Sequence, residues 1–497
     1  MPQPRTTAPT TVPTAVPTAG AGTTARPRPW LIQGGTGVGV SGWRLARALS
    51  TAGQLGVVSG TAPDVVLARV LQTGDPGGHA RRAPAAFPLP ELAQGALDCY
   101  FREGGIGGGV PLRTTPRLRA TGGSPAEILT VLGNFVEVWL AKDGHDGIVG
   151  VNYLEKIRLA TAPALFGAIL AGVDHVLVGA GVPGQIPALA SRLARSQPCV
   201  TQVAVVGDEE PLDHLFDPMA LLAGLHPGPL RRPDVLAIVS LPVLAAYLAR
   251  DESTRPDGFV IETSQAGGHS APPRGPMRRG ADGEPVYGPR DQPDLATTAT
   301  LGLTFWLVGG QAAPEAVTPA RAAGAAGVQI GSAFALCEES GMARHLRGRA
   351  HAGTLTVRND PEASPTSFPF KVAELPGTLS EPEVAAARRR VYGLGFLRTP
   401  VRGPRGLLYR CAAEPVGSYV RKGGDAADAV GRQCLCNGLL ATVGLAQRRP
   451  GGVVEPPLVT IGKHLSFLPR LSPDASPYTA ADVVEWLAAG AGPAERA

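Results

Sequence analysis

Short apolar runs rich in Val, Ile and Leu recur from residue 29 onward, and most are followed by stretches in which apolar residues return every three or four positions. The first pattern reads as a strand buried on both faces, the second as an amphipathic helix. Runs at 31–35, 55–59, 148–152, 175–179, 200–206, 235–240, 259–263, 305–309 and 328–331 are expected strands. Helices are expected among them at 43–52, 161–171, 186–194, 241–249 and 314–323. Helix-separated strands pair in parallel through right-handed crossovers. Nine strands suit a closed α/β barrel of the TIM type, (β/α)8, with one strand to spare. The spare is 200–206, within an insertion over about 199–233. A second insertion, about 73–146, carries an apolar helical stretch at 126–142. The barrel is expected to occupy 29–339. Beyond it the alternation stops, and 340–497 reads as a smaller, mainly helical extension. Residues 1–28 are dominated by Thr, Pro and Ala, without the apolar run of a secretory signal, and are expected to form a disordered tail.

Charge excludes some classes. The 46 Lys and Arg barely exceed the 41 Asp and Glu and are scattered, so nucleic acid is not an expected partner. No apolar run approaches the roughly 18 residues of a membrane span. The six cysteines are far apart except for Cys434 and Cys436, which fits a reducing cytoplasm rather than a disulfide framework. Cys411, Cys434, Cys436 and His464 lack the paired spacing of a zinc or iron–sulfur site, so no metal is expected and the thiols read as structural.

Many expected strands end in glycine or a small polar residue: Gly34-Gly35, Asn152, Gly179, Gly309-Gly310, Gly331-Ser332. In a parallel barrel these ends share the ligand-binding face. The segment 37–42, GVGVSG, also fits the dinucleotide fingerprint, but no acidic residue ends the following strand to hold a ribose. The glycine turns after the last two strands are the better anion site, with free backbone N–H groups and the Ser332 hydroxyl where barrels often bind phosphate. After the strand at 259–263, SQAGGHSAPPRG runs through Gly267 and Gly268 into His269. Two glycines let backbone pass close to a flat ligand, and the imidazole beside them titrates near neutral pH.

The ordered pieces LIQGGTGVGVSGWRLARALSTAGQLGVVSGT, IVGVNYLEKI, GVDHVLVGAGVPG, GFVIETSQAGGH and GAAGVQIGSAF resemble the nitronate monooxygenase family, also called 2-nitropropane dioxygenase-like. ASPTSFPFKV and GRQCLCNGLLA resemble a longer bacterial branch of it. The resemblance runs from about residue 30 to 465. It implies a barrel that binds FMN non-covalently under a smaller helical region. It places Gly35 and Thr36 along the flavin, Asn152 on it, and Glu262, Gly267 and Gly268 close to it. Gly309, Gly310, Gln329, Gly331 and Ser332 would hold its phosphate, and His269 falls on the family's catalytic histidine. Thr36 stands where methionine is common, and Glu262 adds a charge near the ring.

Such a histidine takes the α-proton of a nitroalkane as a base or, as an imidazolium, holds an anionic nitronate. Ser270 and Arg274 are candidate substrate residues, Arg274 either attracting an anion or only capping its loop. The segment 364–370 is either a lid or plain packing. The leading expectation is oxidation of a nitronate or similar activated carbon acid with O2. The alternatives are an enoyl-thioester reductase using NAD(P)H, with a carrier protein as partner, and a binding subunit of a biosynthetic assembly.

Overall fold

The computed structural model describes residues 28–120, 125–353, 355–391, 393–404, 406–450 and 452–490. The tail expected over 1–28 lies outside the described residues apart from Arg28. Eight parallel strands form the barrel: β1 (Leu31–Gln33), β2 (Gly56–Ser59), β3 (Val149–Leu154), β4 (His175–Gly179), β5 (Asp234–Val239), β6 (Gly258–Glu262), β7 (Thr304–Val308) and β8 (Gly327–Ile330). The pairing runs β1-β8-β7-β6-β5-β4-β3-β2. Closure comes from a parallel bridge between Ile32 and Leu55, where the Gln33 N–H donates to Leu55 O at 2.9 Å and the Leu55 N–H to Leu31 O at 3.2 Å. A closed ring leaves no switch point in strand order, which removes the open dinucleotide-binding sheet.

The strands close because their sequences are apolar on both faces. Every residue of β2 and β8 is buried. Ile32, Leu55, Val57, Leu177, Leu236, Val260 and Trp306 fill the interior as one cluster, and the Trp306 indole donates to Pro29 O at 2.9 Å. Outward-facing residues pack under helices such as Trp43–Thr51, Arg158–Leu170 and Pro314–Ala322. At the β1–β8 seam the backbones touch: a Cβ on Gly327 would lie 1.8 Å from Trp30 O.

The spare strand is Cys199–Val203, paired antiparallel with Leu212–Phe216 outside the barrel. The first insertion supplies Pro90–Tyr100 and the long helix Pro125–Lys142, which packs on Arg158–Leu170. The C-terminal region contains helices, among them Arg344–Ala352, Leu435–Thr442 and Ala480–Ala488. It also holds two hairpins that the sequence reading lacked: Thr356–Asp360 with Phe370–Glu374, and Thr399–Gly403 with Gly406–Arg410. Among the described residues no helix is long and apolar enough to cross a membrane.

Candidate active site

A cavity of about 190 Å³ opens where the strands end. Its wall includes Gly35, Thr36, Asn152, Glu262, Gly267, Gly268, His269, Gly309, Gly310, Gln329, Gly331 and Ser332, so twelve expected site residues meet in one place. Ser270 and Arg274 are not in the wall. The His269–Phe370 bridge turns Ser270 inward, where its hydroxyl reaches Asn359 Oδ1 at 3.5 Å. Arg274 is exposed, on a loop held through its backbone N–H by Asp291 at 2.8 Å.

One part of the wall is built from bare backbone. Past β7, Gly309 and Gly310 take φ of 97° and 71°, a region side chains avoid. Past β8, the Ser332 hydroxyl accepts the Gly462 N–H at 2.7 Å. Gln329 Oε1 is buried with no hydrogen-bond partner among the described residues. The turn after β1 is set by Gln33, which is wholly buried. Its amide donates to Gly34 O at 2.7 Å and to Ser41 Oγ at 2.9 Å, and its Oε1 accepts the Val57 N–H at 3.0 Å. GVGVSG is therefore a tight turn locked to β2.

The titratable part centres on β6. Burial raises the Glu262 carboxyl to about 7 against the pull of Lys371 and Lys156. Burial lowers Lys371 to about 8 and Lys156 to about 7, each opposed by nearby carboxylates including Glu262. Lys371 is fully buried, and its Nζ donates to Ser264 O at 2.8 Å. Burial, then Lys156, pushes His269 down to about 3. The imidazole, which also lines the cavity wall, is therefore neutral at neutral pH. The anion-holding imidazolium is thus disfavoured and the base retained.

The segment 364–371 is stitched to the histidine. Ser364 Oγ lies 2.7 Å from His269 Nε2. Phe370 meets the imidazole edge-on at 4.9 Å. The Ser270 N–H donates to Pro369 O and the Lys371 N–H to Gly268 O, both at 3.0 Å. Lys156 sits over the Phe368 ring at 3.1 Å. The segment packs in place rather than standing away as an open flap.

The C-terminal region completes the cavity with Phe396, Leu397, Leu435 and Leu439 on an apolar strip and with Thr460, Ile461, Gly462 and His464. Apart from His464, weighed only as a metal ligand, these residues and Lys156 and Lys371 were not among the expected site residues. Only FPFK marked Lys371, as a charge following an aromatic–proline pair. Among the described residues no group of three His, Cys, Asp or Glu is arranged to hold a metal ion. Cys436 joins the cavity wall, and burial pushes its thiol up to about 12.

No family model matches the chain, and no curated protein matches it. Among solved structures, FabK from Thermotoga maritima is 15% identical over 93% of this chain and 92% of its own, with a TM-score of 0.45. A nitroalkane oxidase from Streptomyces ansochromogenes is 16% identical over 93% and 95%, with a TM-score of 0.44. The enoyl reductase domain of MlnA from Bacillus amyloliquefaciens is 13% identical over 70% and 64%, with a TM-score of 0.37. At these identities and scores the likeness decides nothing about this chain, whose chemistry rests on its own cavity.

Proposed function

We propose that the protein is an FMN-dependent oxidoreductase that oxidises a nitronate or similarly activated carbon acid with O2. The observation that supports this most is the meeting of glycine-lined turns, a neutral imidazole and a carboxyl of raised pKa in one cavity at a barrel mouth.

The wall fits the cofactor in three respects. The turns at Gly309-Gly310 and Gly331-Ser332 offer backbone N–H groups and a hydroxyl to a phosphate. Gln329, also in the wall, brings a side-chain amide that can bond a ribityl hydroxyl or a ring N–H. Gly35 and Gly267 keep the wall thin: a Cβ on Gly35 would lie 2.4 Å from Asn152 Cβ, and one on Gly267 2.8 Å from Gly462 N. When bound, FMN supplies the electron-pair chemistry and the reaction with O2. His269 takes the α-proton of a neutral carbon acid. Glu262, protonated below about pH 7, donates a hydrogen bond rather than repelling an anion. The apolar strip excludes water.

The same strip favours a second reading, an NAD(P)H-dependent enoyl-thioester reductase whose acyl chain lies along Phe396, Leu397, Leu435 and Leu439, delivered by a carrier protein. FMN-reconstituted protein separates the two under anaerobic conditions. Bleaching of the flavin by propyl-1-nitronate and not by NADPH supports the oxidase; the reverse supports the reductase. A colourless protein that refuses added FMN would sink both.

A further inference from the structure

We infer that Lys156 is the far end of a proton relay that begins at His269 Nε2 and passes through the hydroxyls of Ser364 and Thr366. The inference rests on the reading of His269 as the group that moves the substrate proton. The links are continuous, two of them short and the one to Lys156 long. His269 Nε2 lies 2.7 Å from Ser364 Oγ, and Ser364 Oγ lies 2.8 Å from Thr366 Oγ1. Lys156 Nζ donates to Thr366 Oγ1 at 3.5 Å. Thr366 Oγ1 also stands 3.4 Å from His269 Nε2. The loop is fixed: the Thr366 N–H donates to Ser364 Oγ at 3.2 Å, and the Arg432 guanidinium donates to Ser364 O at 2.8 Å and to Ser367 Oγ at 3.1 Å.

A hydroxyl donates one proton at a time, so the chain has a direction. With Lys156 as an ammonium, it donates to Thr366, Thr366 to Ser364, and Ser364 to His269 Nε2. The imidazole proton then sits on Nδ1, and the base is blocked. With Lys156 neutral, every donor reverses: Nε2–H donates to Ser364, and the Nδ1 lone pair is free for substrate. When Nδ1 takes a proton from carbon, Nε2 passes its own to Ser364, Ser364 to Thr366 and Thr366 to Lys156. One proton leaves carbon, one arrives on the amine, and the imidazole ends neutral. An imidazole held low and an amine lowered to about 7 by burial suit that direction of travel. The charges around the chain are Glu155 beside Lys156, Glu262 at the end of β6 with its neighbour Lys371, and Arg432 behind the loop. A residue that only packs the loop has no such dependence on who donates.

The test uses FMN-reconstituted full-length protein with nitroethane as the probe, following anaerobic flavin bleaching between pH 6 and 9. The wild-type rate rises with pH through the titration of Lys156. Lys156→Met and Thr366→Val each lower the rate roughly 10-fold or more, the double variant is no slower than the worse single one, and Thr366→Ser retains the rate. Lys156→Arg is as slow as Lys156→Met, because a guanidinium keeps its proton. A wild-type rate in Lys156→Arg, or losses that multiply in the double variant, overturns the relay. If nitroethane bleaches nothing even in the wild type while propyl-1-nitronate does, the reading of His269 as the base for a neutral carbon acid fails, and the relay stays testable by 15N-histidine NMR, with His269 assigned by the loss of its signal in His269→Asn. The relay predicts that His269 switches from the Nδ1–H to the Nε2–H tautomer as Lys156 deprotonates, and that Thr366→Val abolishes the switch. A tautomer indifferent to pH, or a switch that survives Thr366→Val, overturns it.

Discussion

Replacing His269 by Asn removes a group that the fold holds neutral, and the consequence is readable without any substrate. The folded histidine titrates far below its ordinary 6.5, near 3. Between those values the unfolded chain binds a proton that the folded chain refuses. Stability from this residue is therefore present above pH 6.5 and drains as pH falls. From pH 6.5 to 4.5 the drain at 1.36 kcal/mol per pH unit reaches about 2.7 kcal/mol. Solvent screening at the cavity face of the ring discounts it to about 2 kcal/mol. His269→Asn lacks this drain, while its lost bond to Ser364 costs a constant amount at every pH. At about 2.1 cal/mol/K per residue, a chain of this size loses roughly 1 kcal/mol per degree near its midpoint. Melting both proteins from pH 7.5 to 4.5 should thus move the difference, variant minus wild type, upward by roughly 2 °C. A difference that stays flat, or that moves the other way, refutes the neutral buried imidazole.

Glu262→Gln should behave with the opposite sign. The folded carboxyl titrates above its ordinary 4.5, near 7, so its contribution is present at low pH and lost as pH rises; the variant should gain on the wild type between pH 5 and 7, and a pH-independent gap in melting temperature counts against it. Gly327→Ala forces a Cβ to within 1.8 Å of Trp30 O at the barrel seam; backbone cannot give way as a side chain does, and a loss of roughly 3 kcal/mol or more is expected, contradicted by a melting point within 1 °C of wild type. Glu455→Ala strands Arg388, whose side chain is 6% exposed and whose Nε donates to Glu455 at 2.8 Å; a loss of about 3–5 kcal/mol should appear in thermal melts, and a loss below about 1 kcal/mol would contradict that assignment.

The barrel was legible because its strands are buried on both faces, which writes them as uninterrupted Val, Ile and Leu. β4, His175–Gly179, appears with the expected bounds for that reason. The glycine turns and His269 were legible because glycine before a polar residue at a strand's end has few other uses. Lys371 was not. A lone lysine reads as solvated, and only the fold brings it against Glu262 and Ser264 O. The hairpin of Thr356–Asp360 with Phe370–Glu374 was missed because 361–369 separates its halves with a polar, proline-broken loop. Arg274 stayed open between attracting an anion and capping its loop, because basic character in a loop says nothing about which way the loop faces; the fold puts it outside the cavity wall.

The bond from the Gly462 N–H to Ser332 Oγ has a bearing on biosynthesis. Residues near position 36, near 269 and near 462 must all be in place before the cavity has a complete wall. A ribosome that has finished β8 has made every strand of the ring but is still more than a hundred codons short of the segment that closes its mouth. Holding cofactor in the finished cavity is therefore an event of the nearly complete polypeptide, and a truncated translation product lacking that segment leaves the ribosome with its mouth unsealed.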